Sequence, residues 1–224
     1  MGLLAGLAEL IAPTRCAGCD LPGALICDDC HDHAARFARA ESCPRCGAPF
    51  GAFVCTECWE RSFAFEAAVA LGELAPPLSR AVVLHKDAGE RRLGDALGRL
   101  LGQEVSACWP QWADAVTWIP PTHAALTRRG FDHGLALASP VGAALGVTVK
   151  PLLTRAAAKD QRALGRDARA ANAAGTFGSL ETPPSRVLIV DDVLTTGATL
   201  DAAAAALLDA GAEAVRVAVV ARSW

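Results

Sequence analysis

Apolar and polar positions change period several times along the chain, and each change marks an element. The opening MGLLAGLAELIAP is a short apolar helix candidate. Residues 14–59 carry too few apolar side chains for a core of their own. AFEAAVALGEL, from Ala64, alternates as a strand does. Pro76–Pro77 then opens a helix over PPLSRAVVLHKDAG, with Leu78, Val82 and His85 on one face. A second helix runs from about Glu90 to Ala107, with Leu93, Leu97, Leu100 and Leu101 on one side. DAVTWIP is a strand that runs into a turn, PPTHAALTRRGFDHG. A helix follows to Gly146, and Pro140 is expected to kink it or to restrict its first turn. Val147–Val149 and Leu152–Thr154 are short strand candidates, and ETPPS is a turn. VLIV, an Ala-rich helix from Thr199 to Ala210 and the strand AVRVAVVAR, expected to close the sheet, complete the pattern. Strands alternating with helices imply an α/β fold, a parallel sheet flanked by helices.

Chemistry concentrates in Val187–Thr199, VLIVDDVLTTGAT. A β-branched apolar run reads as a strand buried on both faces. The segment after it joins a strand end to a helix N-terminus, where backbone N–H groups and the helix dipole favour a phosphate. Thr195, Thr196 and Thr199 add hydroxyls, and Gly197 lets a ligand approach the backbone. Asp191 and Asp192 stand beside this cradle and suit sugar hydroxyls. Two more segments offer cations. The turn PPTHAALTRRGFDHG carries Thr122, His123, Arg128, Arg129, Gly130 and His133 after a strand, where open α/β sheets bind ligands, a solvated Arg pair being the alternative. The 155–172 segment is basic, with Arg155, Lys159, Arg162, Arg166 and Arg169 against Asp160 and Asp167. It reads as a lid or as a solvated helical surface. Lys86 and His85, at a helix end, either reach a ligand phosphate or belong to the helix surface and core.

Cysteine usage divides the chain. Eight of the nine cysteines form four CxxC pairs: Cys16/Cys19, Cys27/Cys30, Cys43/Cys46 and Cys55/Cys58. With no secretion signal in view, this implies metal before disulfide. Two pairs complete a tetrahedral four-thiolate site, so eight ligands hold two structural Zn²⁺ ions with no open position. The simplest pairing is sequential, Cys16, Cys19, Cys27 and Cys30 for one ion and Cys43, Cys46, Cys55 and Cys58 for the other. An interleaved pairing is the alternative, and His31 or His33 replacing a Cys is another. Residues 1–60 are expected to form a double zinc ribbon with a short N-terminal helix, and residues 61–224 the α/β domain. Cys108 reads as core.

Composition narrows the function. The chain is 52% apolar and 20% charged, with net charge −3, so a packed core is expected and no global attraction to nucleic acid. The ribbon region holds Arg15, Arg36, Arg39 and Arg45 against eight acids, the wrong balance for phosphate binding. It reads first as a scaffold or docking element. No apolar run reaches the ~18 residues of a membrane span. A cytosolic protein is expected.

The string VLIVDDVLTTGAT resembles the phosphoribosyl-pyrophosphate (PRPP) motif of type I phosphoribosyltransferases. Together with the four CxxC pairs, the whole chain is similar to the ComF family, a double zinc ribbon fused to a phosphoribosyltransferase-like domain and linked to competence, the uptake and processing of transforming DNA. HKDAGERRLGDALGRLL, IPPTHAALTRRGFDH and DDVLTTGAT resemble its landmarks, as do Arg155, Gln161, Leu164, Arg166, Arg169, Asn172, Gly175 and Phe177. The resemblance implies a type I phosphoribosyltransferase sheet and Mg²⁺-dependent transfer of phosphoribose from PRPP to an acceptor the sequence does not name. Val193, Leu194, Thr195, Thr196, Gly197, Ala198 and Thr199 would bind the 5-phosphate. Asp191 and Asp192, the catalytic pair, would bind the ribose hydroxyls directly or through Mg²⁺. Arg128 and Arg129 would meet the pyrophosphate. Gln161, Arg162, Arg166, Arg169 and Asn172 would belong to a flexible lid. The alternative is a non-catalytic competence accessory that binds single-stranded DNA or a partner competence protein through the phosphate site and ribbons. The oligomeric state stays open, a dimer included. Three positions depart from the family pattern: GFDH at Phe131–His133, where GFNQ is usual, Asp87 in place of an aromatic, and Pro140 within a helix.

Overall fold

The computed structural model describes residues 13–32, 42–155 and 176–223. The expected N-terminal helix, His33 and the lid residues Gln161, Arg162, Arg166, Arg169 and Asn172 lie outside the described residues. The elements, in order, are α1 (Asp28–Asp32), α2 (Thr56–Glu60), β1 (Ala67–Glu73), α3 (Leu78–Lys86), α4 (Arg91–Cys108), β2 (Ala115–Trp118), α5 (His123–Arg129), α6 (His133–Leu145), β3 (Thr148–Val149), β4 (Leu153–Arg155), β5 (Phe177–Ser179), β6 (Arg186–Leu194), α7 (Ala198–Asp209) and β7 (Ala214–Arg222).

Five strands form one parallel sheet in the order β1-β7-β6-β2-β3, and β4 and β5 form an antiparallel pair. Val187, Leu188, Ile189 and Val190 on β6 are fully buried, as a strand covered on both faces requires. Their side chains alternate. Leu188 and Val190 join the core made with α3, α4 and α6, through Leu78, Val82, Leu97 and Leu137. Val187 and Ile189 join the core made with α7 and the β4–β5 pair, through Leu200, Leu207, Leu152 and Phe177. The strand AVRVAVVAR is not at the edge where a closing strand would sit. It lies between β1 and β6, because the other side of β6 is taken by β2.

Two helices differ from the sequence expectation. The 121–130 turn is the short helix α5: Thr122 Oγ1 accepts from Ala125 N at 3.2 Å, and Gly130 ends it at φ 69°. Pro140 lies in the middle of α6, not in its first turn. The room for its ring comes from α4, whose Gly94, Gly98 and Gly102 recur every four residues and face α6. A Cβ at Gly98 would sit 2.3 Å from Pro140 Cγ and 2.5 Å from Leu137 O. Bare Cα atoms along this ridge let the two helices pack almost backbone to backbone.

Each cysteine quartet gathers within 4.8 Å, Cys16, Cys19, Cys27 and Cys30 in one and Cys43, Cys46, Cys55 and Cys58 in the other. The pairing is therefore sequential. His31 instead meets its neighbour Asp32, 3.0 Å from Nδ1 to Oδ1. Cys27 N donates to Cys16 Sγ at 3.3 Å and Cys55 N to Cys43 Sγ at 3.4 Å, the N–H···S support that thiolates need. Neither ribbon stands apart. Ala17 enters the main core, and Arg80 Nη1 donates to Gly18 O at 2.9 Å. Cys108 is partly buried, with its Sγ 3.3 Å from Glu104 Oε1. Among the described residues, no helix is long and apolar enough to cross a membrane.

Candidate functional site

The C-terminal ends of β2 and β6 open into one cleft of about 360 Å³. That volume lies within the usual range of small-molecule sites. Strand β6 runs on through Asp191–Leu194, so the acid pair belongs to the strand and not to the loop after it. Neighbouring strand residues point to opposite faces. Asp192 therefore turns towards α3 and α6, where its Oδ2 lies 2.6 Å from Lys86 Nζ and 3.9 Å from His133 Nε2. Asp191 turns towards β4 and Arg155. It keeps some solvent contact, yet burial of its carboxyl and the Asp192 charge push its pKa up to about 7, against the pull of Lys86 and Arg155. His133 is held below the usual imidazole range by burial, and Lys86 and Arg129 act in the same direction while Asp192 opposes.

Thr195, Thr196 and Gly197 carry the chain from β6 to α7. Gly197 takes φ 79°, a conformation glycine adopts without strain. Val193, Leu194, Ala198 and Thr199 complete a small pocket with these three and Asp191. Thr195 and Thr199 also line the main cleft, so the two spaces share a wall. Leu194 itself is buried.

The arginines of α5 part company. Arg129 lines the cleft and pairs with Asp87 at 3.1 Å, and its Nε has no partner among the described residues. Arg128, one position earlier on the helix, is exposed and lines the adjoining pocket with Phe131, not the cleft. Consecutive helical residues lie about 100° apart, so only one of the two can face the acids. His85 is buried, with ring nitrogens near Glu90 O and His133 O, and does not line the cleft. Lys86 does.

The departures at positions 87 and 132 have structural reasons. Asp132 does not line the cleft and does not pair with Arg129. Its Oδ1 caps α6 through Leu135 N at 3.0 Å, and its Oδ2 accepts from Trp118 Nε1 at 2.9 Å. Asp87 is the partner of Arg129. Sequence reasoning underrated two residues. Arg155, which opens the basic segment, donates from Nε to Pro120 O at 3.0 Å and lies over the Phe177 ring, facing Asp191. His133 joins Asp191 and Asp192 in a group whose ligand atoms lie within 4.8 Å of one another. Its position directly after the cap Asp132 was the available signal.

The site thus combines the Thr195–Thr199 loop, two acids of different environment and a wall of Lys86, Arg129 and Arg155. Such a wall stabilises negative charge at a fixed position.

A family model described as phosphoribosyl transferase domain matches residues 134–223. The DNA utilization protein YhgH of Salmonella typhi is 33% identical over 222 residues, covering 93% of this chain and 96% of its own. YhgH of Escherichia coli K12 is 32% identical over 225 residues, with the same coverage. Among solved structures, the glutamine PRPP amidotransferase of B. subtilis is similar at 24% identity and a TM-score of 0.41, over 56% of this chain and 25% of that one.

Proposed function

From the premise that the chain belongs to the ComF-type family of the DNA utilization protein YhgH, we propose that its cleft binds PRPP and transfers the phosphoribosyl group to an acceptor. The observation that carries this reading is the placing of the Thr195–Thr199 cradle, Asp191 and the Lys86–Arg129–Arg155 wall around one cleft. The backbone amides and hydroxyls of Thr195–Thr199 hold the 5-phosphate. Asp191 accepts from a ribose hydroxyl. Arg129, Lys86 and Arg155 face the pyrophosphate, and their charge stabilises it as the C1–O bond breaks. No covalent nucleophile is needed. The lid expected at 155–172 excludes water from the carbocation-like sugar. The carboxylates of Asp191 and Asp192 fit Mg²⁺, a hard cation that prefers oxygen ligands. When bound with PRPP it offsets pyrophosphate charge.

We divide the chain at about residue 60. The two thiolate quartets ahead of it fit structural Zn²⁺ and a reducing, cytosolic setting. The DNA utilization named in the relatives supports a place for this activity in handling incoming DNA. A second reading, a non-catalytic accessory for single-stranded DNA or a competence protein, is favoured by Trp59 and Phe53, which are 81% and 82% exposed on the second ribbon. Exposed aromatics of this kind stack on bases.

Calorimetry with PRPP and Mg²⁺ separates the readings. Saturable heat that disappears in Asp191→Ala/Asp192→Ala supports the first. No heat at millimolar PRPP sinks it. A gel shift with single-stranded DNA that is lost in Arg162→Ala/Arg166→Ala/Arg169→Ala supports the second.

A further inference from the structure

The phosphate cradle is held from behind by two arginines that do not enter the cleft. Arg222, on the last strand, is 2% exposed. Its Nη1 donates to Leu194 O at 3.2 Å and to Thr195 O at 2.5 Å. Arg61 Nη1 donates to the next carbonyl, Thr196 O, at 2.9 Å. Three consecutive carbonyls of the cradle are therefore turned towards guanidinium groups.

A trans peptide is planar, so its C=O and the following N–H point in opposite directions. Drawing the oxygens of Leu194, Thr195 and Thr196 to one side directs the amides of Thr195, Thr196 and Gly197 to the other, where a phosphate would sit. The two cations also withdraw charge from those carbonyls, which makes the opposite amides better donors.

Arg61 is mounted on the second ribbon, and Arg222, carried by β7, touches it. Arg61 directly follows α2, the helix that carries the zinc ligand Cys58. Arg222 Nη2 lies 3.5 Å from Glu57 Oε2 on the same helix. Between ribbon and cradle, Phe63 stacks on Phe65 with ring centres 4.6 Å apart. The Phe63 ring fills the space behind Gly197, where a Cβ would come within 2.7 Å of it. Ala64 N donates to Asp201 Oδ1 at 2.6 Å, which fixes this segment to the first turn of α7.

We infer that Arg61 and Arg222 are positioning residues for the phosphate cradle, and that the second zinc ribbon is the mount of Arg61 and a contact of Arg222. The inference rests on the phosphate reading of Thr195–Thr199. It gives the second ribbon a task inside the domain that follows it, beyond docking a partner.

The test is ¹⁵N relaxation on the full zinc-loaded chain, combined with calorimetric titration of PRPP in Mg²⁺. Arg61 is exposed, so Arg61→Met removes the donor and keeps the stem without opening a core. Its order parameters at Thr195, Thr196 and Gly197 should fall, and PRPP should bind about threefold to tenfold more weakly, the scale of one ordinary hydrogen bond. Arg61→Lys, which keeps a donor, should recover part of both. Arg222→Met should act in the same direction, and if it does not fold, Arg61→Met alone decides. Cys46→Ser, which opens the second ribbon, should loosen the cradle as Arg61→Met does, whereas Cys19→Ser in the first ribbon should leave it ordered.

Unchanged order parameters in Arg61→Met overturn the brace, whatever the ligand does. Unchanged order parameters in Cys46→Ser overturn the ribbon as its mount. A wild-type chain that binds no PRPP, with a cradle that still loosens in Arg61→Met, refutes the PRPP reading and leaves the brace standing.

Discussion

Replacing Asp191 by Asn should stabilise the ligand-free protein, increasingly as pH rises from about 4 to about 7. The carboxyl is raised from 3.8 to about 7 in the folded chain, first by burial and then by the Asp192 charge. Between those two values the folded state holds a proton that the unfolded state has released. Stability is therefore fully present below the unfolded pKa and falls as pH rises through the folded one. A shift of roughly 3 units corresponds to an upper bound of about 4 kcal/mol. Residual solvent contact reduces this, so about 1–3 kcal/mol is the expected loss across the window. Asn is neutral at every pH and matches Asp in shape, so it removes the slope. Urea unfolding of both proteins at pH 5 and pH 8, without divalent cations, measures the difference. The variant should gain most at pH 8 and roughly a third as much at pH 5. Equal denaturation midpoints at pH 8 would mean that Asp191 ionises freely in the folded state, and the picture of a carboxyl strained by its surroundings would be wrong.

Other perturbations follow from single contacts. Lys86→Met leaves the Asp192 carboxylate buried beside His133 without its ammonium partner. It should cost about 2–4 kcal/mol in urea unfolding, most of which Lys86→Met/Asp192→Asn restores; a fully additive double variant would show that the pair is not coupled. Gly98→Ala drives a methyl into Pro140 and Leu137 O and should lower stability by about 1–3 kcal/mol, read as a fall in Tm. Asp132→Ala loses the α6 cap and the Trp118 bond together and should cost about 1–2 kcal/mol, while Asp132→Asn keeps the cap and loses less. Metal analysis should return two zinc per chain, and a single zinc in Cys46→Ser.

Most of the sheet could be read from the sequence because its strands are covered on both faces and appear as unbroken apolar runs, VLIV above all. The ribbons were legible for a different reason. CxxC spacing states its chemistry locally, and sequential pairing needs only short loops. Helix α5 was not legible, although Thr122 and Gly130 are ordinary start and stop signals. None of its residues is buried, so it has no apolar stripe to find. The split of Asp191 and Asp192 onto two faces follows from strand period, but only once β6 is known to run through Leu194. Arg61 and Arg222 were invisible for a deeper reason. Their acceptors are backbone oxygens, 135 and 28 or 27 residues away in sequence, and a carbonyl has no residue identity to signal that it is held.

The sheet order also sets a timetable for synthesis. Strand β1 finds its pairing partner only in β7, so it leaves the ribosome long before residues 214–222 exist. Until then its apolar positions, Ala67–Leu71, have no neighbouring strand, and such an open edge invites association with other chains. The thiolate quartets are drawn from short stretches of chain and can gather first, and in the folded protein Gly47 of the second ribbon lies against Ala68 O. On this view the cysteine-bearing segment shields the nascent β1 during the interval, and scarcity of the metal its thiolates fit would lower the yield of folded protein before it affected any finished molecule.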